Sequence, residues 1–332
     1  MELKPLDQQV IVITGASSGI GRLTALEAAR RGAKVVLAAR GAEALEAAVQ
    51  EITAAGGTAF AVQTDVADFA QVEALGRRAI ERFGRIDTWV NNAAVSVYGE
   101  FVQISPEEFR RVIEIDLMGQ VYGAKVALQH MRGQPGGSII NNASGLADRS
   151  VPLQTAYCAA KHGVKGFTEG LRVELDHAGV PIQVVTIKPG SIDTPFFQHA
   201  ETKMGVEPKP VPPVYAPELV AEAILHAATH PTRDLPVGGA SAGLGIMQAL
   251  APRMMDLQLR FAGYWTQQTD RPKDPAAPSN LVAGSPGPGE IYGGWNGWRF
   301  SLYTWLRLHP LARRGAFAGG ALAGFLVARG RR

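Results

Sequence analysis

A β-branched run, Val10–Thr14, leads directly into a turn that holds three glycines, Thr14-Gly15-Ala16-Ser17-Ser18-Gly19-Ile20-Gly21. The stretch that follows, residues 23–31, has the composition of a helix. Strand, Gly-rich turn and helix in that order are the opening of a layered α/β unit. Glycine takes backbone angles that other residues avoid. Without Cβ atoms the turn lets a phosphate approach the backbone, and the helix N-terminus then faces the negative charge. The spacing G-x-x-x-G-x-G carries little weight alone; its place right after the first strand is what points to a nucleotide. Gly15, Ser17, Ser18, Gly19, Ile20 and Gly21 are therefore candidate cofactor contacts.

Strand and helix then alternate. Further strands are predicted at Lys34–Ala39, Thr58–Gln63, residues 86–90, 138–142 and 182–187, and near 235–237. Helices are predicted at residues 42–55 and 70–83, within 106–131, and at 155–178 and 217–229. This alternation predicts a doubly wound parallel sheet of the Rossmann type, α/β, with helices on both faces. In such sheets ligands bind beyond the C-terminal strand ends, and each motif below falls at such an end. Residues 6–240 are read as one dinucleotide-binding catalytic domain. Residues 241–269 are apolar and predicted helical, with Pro252 breaking or kinking them. Residues 270–292 read as a Pro- and Gly-rich linker. Residues 293–332 form an aromatic and Arg-rich tail, and no repeat of fixed period is present.

The chain has 332 residues, 46% hydrophobic and 19% charged, which suits a sizeable core. Its one cysteine, Cys158, excludes an intrachain disulfide and fits a reducing compartment. The first seven residues lack the basic and apolar regions of a signal peptide, so a cytoplasmic location is expected. The net charge of +3 hides an asymmetry. Residues 1–298 carry 26 basic and 30 acidic residues, a balance of −4, whereas the rest carries seven arginines and no acid. Nucleic-acid binding gains no support from this, but a basic tail can meet an anionic membrane or another acidic partner. The seven histidines show no metal-ligand spacing with carboxylates or Cys158, so no metal is expected.

The second strand ends Leu37-Ala38-Ala39-Arg40, with no acid before Glu43. An acid there would bind the ribose 2′-hydroxyl of a dinucleotide and repel a 2′-phosphate. Arg40 can instead pair with that phosphate. NADP(H) is thus preferred over NAD(H), which stays open because Arg40 also reads as a solvated surface residue.

Tyr157 and Lys161 stand one helical turn apart on one face, and Ser144 lies thirteen residues upstream at a predicted strand end. Tyrosine, with a pKa of about 10, is a poor acid or base at neutral pH without help. A nearby ammonium is expected to favour tyrosinate and lower that pKa. Taken in order, Thr14–Gly21, Asn91-Asn92-Ala93-Ala94, Ser144, Tyr157-x-x-x-Lys161 and Pro189-Gly190 resemble the short-chain dehydrogenase/reductase superfamily across residues 6–240. The resemblance implies that Tyr157 is the general acid for carbonyl reduction and the base for alcohol oxidation. It implies that Lys161 binds the nicotinamide ribose and tunes Tyr157, and that Ser144 polarises the carbonyl. It also implies that Asp65 and Val66 contact the adenine end, that Asn92 and Ala93 line the cofactor floor, and that Pro189, Gly190, Ile192 and Thr194 hold the carboxamide. The sequence departs from the family at Ala94, where glycine is common, and at Asp116, where an asparagine often holds a proton-relay water. An ionised Asp116 accepts hydrogen bonds without donating and is expected to raise the Lys161 pKa. The relay then survives with altered pH dependence, unless Asp116 is merely a solvated helix residue. Cys158 reads as a small packing residue.

In this family the segment after Pro189-Gly190 covers the substrate. Here it spans residues 195–215 and includes Phe196, Phe197 and Met204. Val95, Val97, Tyr98, Leu146, Val151 and Leu153 flank the centre, and Arg149 is one candidate for an anionic group. An apolar aldehyde, ketone or alcohol is the expected substrate, and a homo-oligomer the expected assembly by resemblance. Six aromatics crowd residues 292–305, and Arg313-Arg314 and three later arginines bracket an uncharged run, 315–328. That pattern fits a membrane interface, yet fourteen residues fall short of the roughly 20 needed to span. Two G-x-x-x-G pairs, Gly315/Gly319 and Gly320/Gly324, permit close helix contact. A tail on a membrane, a helix against the main domain or a second subunit, and disorder all remain open. The predicted activity is hydride transfer between NADP(H) and an apolar carbonyl or alcohol. The alternatives are an NAD-linked alcohol dehydrogenase and a nucleotide-binding regulatory or scaffold protein with little turnover.

Overall fold

A computed structural model describes residues 1–312 apart from 275, 276, 278, 285 and 286. Seven strands form one parallel sheet: β1 (Val10–Thr14), β2 (Lys34–Ala39), β3 (Thr58–Gln63), β4 (Thr88–Asn91), β5 (Gly137–Asn142), β6 (Ile182–Pro189) and β7 (Asp234–Val237). Their spatial order is β7-β6-β5-β4-β1-β2-β3. The order reverses between β1 and β4, and at that switch point a crevice opens beyond the strand ends.

Strand β1 explains the two-faced core. Val10 and Val12 join one cluster with Val36, Val66, Trp89 and Ile139, whereas Ile11 and Ile13 join the other with Val35, Leu37, Val90 and Val185. All five β1 residues are buried, as a central strand covered on both faces requires. Helices α1 (Gly19–Arg30), α2 (Ala42–Ala54) and α7 (Glu218–Thr229) supply residues such as Ala25, Leu45 and Ile224 to the second cluster. Helices α3 (Phe69–Phe83), α4 (Pro106–Ile113), α5 (Gly119–Met131) and α6 (Thr155–His177) supply the first. Local signals fix several ends. Asp68 accepts from the amides of Ala70 and Gln71 at the start of α3, and Gly84 closes it at φ 78°. A reciprocal Ser105/Glu108 capping box starts α4.

The segment predicted to hold one long helix is interrupted. Residues Glu114–Met118 form a π turn between α4 and α5. Such widened turns frequently mark functional sites, and this one carries Asp116.

Past β7 the chain forms a helical hairpin, α8 (Gly239–Leu250) and α9 (Pro252–Ala262). Pro252 ends the run and opens the second helix, where its missing N–H costs nothing. Arg149 ties the hairpin to the loop after β5, donating to Gln248 Oε1 at 2.8 Å and Asp256 Oδ1 at 2.7 Å. Residues Gln268–Pro272 then pair antiparallel with Val206–Pro208. Helix α10 (Leu302–Leu308) sits by β7, where the Gly238 amide donates to Thr304 Oγ1 at 2.9 Å. The uncharged run at 315–328, its glycine pairs and its flanking arginines lie outside the described residues. Among the described residues no helix is long and apolar enough to cross a membrane.

Candidate active site

One cavity of about 740 Å³ runs along the C-terminal strand ends. Every residue expected to touch the cofactor lines it except Gly21: Gly15, Ser17, Ser18, Gly19, Ile20, Arg40, Asp65, Val66, Asn92, Ala93, Tyr157, Lys161, Pro189, Gly190, Ile192 and Thr194. Gly21 acts from behind. A Cβ there would stand 2.2 Å from the Gly15 carbonyl oxygen. Gly15 itself has φ +64°, and a Cβ on it would come within 2.7 Å of Ala93 Cα. The turn is therefore pressed against the loop after β4, and Ser17, Ser18 and Ile20 face the cavity. That turn and the length of the cavity fit a dinucleotide.

The floor is a continuous hydrogen-bonded chain. Asn92 Nδ2 donates to the carbonyls of Thr14 at 3.1 Å and Gly15 at 3.2 Å. Asn142 Nδ2 donates to Asn92 Oδ1 at 2.9 Å, and Lys161 Nζ donates to the Asn142 carbonyl at 3.2 Å. Asp116 Oδ2 stands 3.4 Å from Lys161 Nζ, while its Oδ1 accepts from the Val95 amide at 2.8 Å. The glycine turn and the catalytic helix are thus joined through two asparagines. Sequence reasoning singled out Asn92 and missed Asn142, although the repeated pair Asn91-Asn92 and Asn141-Asn142 at two strand ends was a visible signal.

Ser144 and Tyr157 face the same cavity. Ser144 Oγ accepts from the Leu146 amide at 3.0 Å. Lys161 Nζ lies 5.3 Å from the Tyr157 ring centre. Asp116 is fully buried, so the solvated-residue alternative is excluded. Burial first of all raises its carboxyl to about 6, against the opposing pull of Lys161 and of the Val95 amide. Burial also lowers the Lys161 ammonium, and Asp116 offsets only part of that. Burial, then the Asp116 carboxylate, push the Tyr157 hydroxyl well above the usual phenol range, with Ser144 pulling it down. Burial is the larger cause, and the Asp116 carboxylate, 3.4 Å from the Lys161 ammonium, adds to it by offsetting part of that ammonium's field.

The far end of the cavity is apolar. Phe196, Phe197 and Val211 come from the segment after β6, and Met247, Met255 and Leu259 from the α8–α9 hairpin. The Phe196 ring centre lies 5.7 Å from that of Tyr157. The hairpin's contribution was not legible beforehand, because an apolar helix reads the same whether it lines core or cavity. Arg149 meets Asp256 and does not line the cavity, which removes it as the anion contact. Cys158 is buried, and burial raises its thiol pKa. Among the described residues no group of three His, Cys, Asp or Glu could hold a metal ion.

Fold and site together define a nucleotide-dependent oxidoreductase. The sequence profile of the short chain dehydrogenase family matches residues 9–205, and the chain belongs to that family. It is 41% identical over 325 residues to the uncharacterized oxidoreductase YxnA of Bacillus subtilis, a match covering 96% of this chain and 90% of that protein. It is 37% identical to a 3-oxoacyl-[acyl-carrier-protein] reductase of Synechocystis, over 68% of this chain and 91% of the relative. Among solved structures, an alcohol dehydrogenase from the archaeon Thermococcus sibiricus complexed with 5-hydroxy-NADP superposes with a TM-score of 0.61 at 27% identity. That superposition covers 69% of this chain and 95% of the other. Levodione reductase superposes with the same TM-score at 30% identity, covering 70% and 98%.

Proposed function

We propose that the protein is an NADP(H)-dependent reductase of apolar carbonyl compounds. The observation that carries the reading is the single cavity. It joins the glycine turn and Arg40 at one end to Ser144 and Tyr157 in the middle and an apolar pocket at the other. Bound NADPH supplies the hydride in reduction, and NADP⁺ accepts it in the reverse direction. Gly15, Ile20 and Arg40 hold the adenosine and phosphates; Lys161 and Thr194 hold the nicotinamide end. Ser144 donates a hydrogen bond to the substrate oxygen, and Tyr157 gives that oxygen a proton. Tyr157 carries its proton at neutral pH, the form in which it can give one to the substrate oxygen. Lys161, Asn142 and Asp116 lie behind Tyr157 as the path by which its proton is replaced.

NADP is supported by Arg40 at the end of β2 and by the NADP analogue in the archaeal structure. NAD remains the second reading for one reason: Arg40 already donates to the carbonyls of Asn280, Leu281 and Val282. We further propose a cytoplasmic homo-oligomer whose C-terminal tail contacts a membrane. The test is NADPH oxidation against a panel of apolar aldehydes and ketones, with NADH and Tyr157→Phe in parallel. Loss of about 10²–10⁴ in rate in the variant, with cofactor binding intact, is expected. Tight cofactor binding without turnover across the panel would favour the scaffold alternative.

A further inference from the structure

Residues beyond the catalytic domain reach back across the cofactor end of the cavity. Asn280 and Gly284 line it. Leu281 is buried in the same core as Val66. Its carbonyl accepts from Arg111 Nε at 3.2 Å, and Arg111 in turn pairs with Asp65. Arg40 donates to the Val282 carbonyl at 3.1 Å. The Gly19 amide, the first of α1, donates to the Glu290 carbonyl at 2.8 Å.

Three glycines make these approaches possible. A Cβ on Gly284 would stand 2.7 Å from the Gly41 amide nitrogen. One on Gly289 would stand 2.0 Å from the Ser17 carbonyl oxygen, and Gly289 has φ +82°. One on Gly293 would stand 2.3 Å from the Thr194 carbonyl oxygen. Ser17, Gly41 and Thr194 belong to three separate loops of the cofactor site. The segment is also stapled below. Asp193, between Ile192 and Thr194, accepts from the amides of Gly293 and Trp295 at 2.9 Å each and of Gly297 at 3.3 Å.

We infer that residues 280–284 and 287–297 are a wall of the dinucleotide site, which holds the bound cofactor in place and must detach for exchange. The inference rests on the dinucleotide reading above. It follows from where the anchors sit: each grips a loop that frames the cavity, so cofactor cannot leave by that side while all hold. Gly284, Gly289 and Asp193 are positioning residues here, acting through the wall and not on the reacting atoms. Arg40 belongs to both, since the carbonyls it meets compete with a 2′-phosphate.

The experiment uses the full chain, with NADPH and NADH as separate probes. Bound cofactor is followed by its fluorescence, and release is timed after mixing with excess oxidised cofactor. Gly289→Val and Asp193→Ala are each expected to speed release at least tenfold. In wild type, NADPH is expected to slow tryptic cleavage after Lys273, next to the wall. Should Gly289→Val not fold, Gly284→Ala, which adds a single methyl, reads the same quantity. Release at the wild-type rate in the folded variants overturns the inference while leaving the dinucleotide reading intact. Binding of neither cofactor to wild type overturns both.

Discussion

Asp116→Asn replaces one carboxylate oxygen by an amide nitrogen at a fully buried position. The shape is kept, and the Asn Oδ1 can still accept from the Val95 amide. What goes is a negative charge 3.4 Å from Lys161 Nζ. Lys161 Nζ is in turn 5.3 Å from the Tyr157 ring centre, so carboxylate and ring are within about 9 Å, and at an effective dielectric of about 20 their interaction is about 2 kcal/mol or more. That exceeds one pKa unit, at about 1.4 kcal/mol per unit. Alcohol oxidation needs Tyr157 without its proton, so kcat/KM in that direction rises with pH. Removing the charge should move this rise to lower pH by about one unit. An inflection at a pH of about 6, where Asp116 itself titrates, should vanish from the variant. The assay is the pH dependence of kcat/KM for alcohol oxidation, in wild type and variant alike. A rise at the same pH in both proteins would refute the coupling.

The same group makes a stability prediction. Its folded pKa of about 6 lies above the ordinary 3.8, so folding favours the protonated form. Ionisation of Asp116 costs about 3 kcal/mol, a cost present above pH 6 and removed as pH falls towards 4. The wild-type Tm relative to that of Asp116→Asn should therefore climb between pH 7 and 4.5, and a constant difference counts against it. Gly21→Val drives a side chain into the Gly15 carbonyl, so NADPH affinity should collapse and Tm fall by an amount equivalent to about 1–3 kcal/mol; an unchanged Kd rejects the cradle. Arg40→Met should lower kcat/KM for NADPH by about 10–100-fold, matching about 1.5–3 kcal/mol for a charged hydrogen bond, and spare NADH. Equal losses with both cofactors would point to NAD. Met247→Trp should raise KM for bulky carbonyls by about tenfold through crowding at the apolar end, with cofactor Kd unchanged; turnover unaffected by the bulk would move the substrate elsewhere.

The strands, the glycine turn and the catalytic trio could be read from the chain because each rests on local chemistry. Val10–Thr14 alternates between two cores, Gly15 and Gly21 have no substitute at their contacts, and Tyr157 and Lys161 are set by one helical turn. Asp116 was legible as a neighbour of Lys161, but its complete burial was not, because a π turn changes which way a helix residue faces. Residues 280–284 and 287–297 were least legible. Their carbonyls and amides make most of the contacts, and backbone groups are the same in every sequence. Their glycines, read as punctuation of a linker, were the one trace of those close approaches.

Ser17 and Gly19 leave the ribosome some 270 residues ahead of Gly289 and Glu290. The sheet can assemble once β7 has emerged, with Ser144, Tyr157 and Lys161 already in hand. At that stage the crevice still stands open along its length. Long-range closures of this kind form late, since the loop entropy of joining distant segments must be met before their contacts add stability. The order of synthesis thus leaves an interval in which the crevice of a nascent chain stands uncovered, before residues 287–297 fold across it.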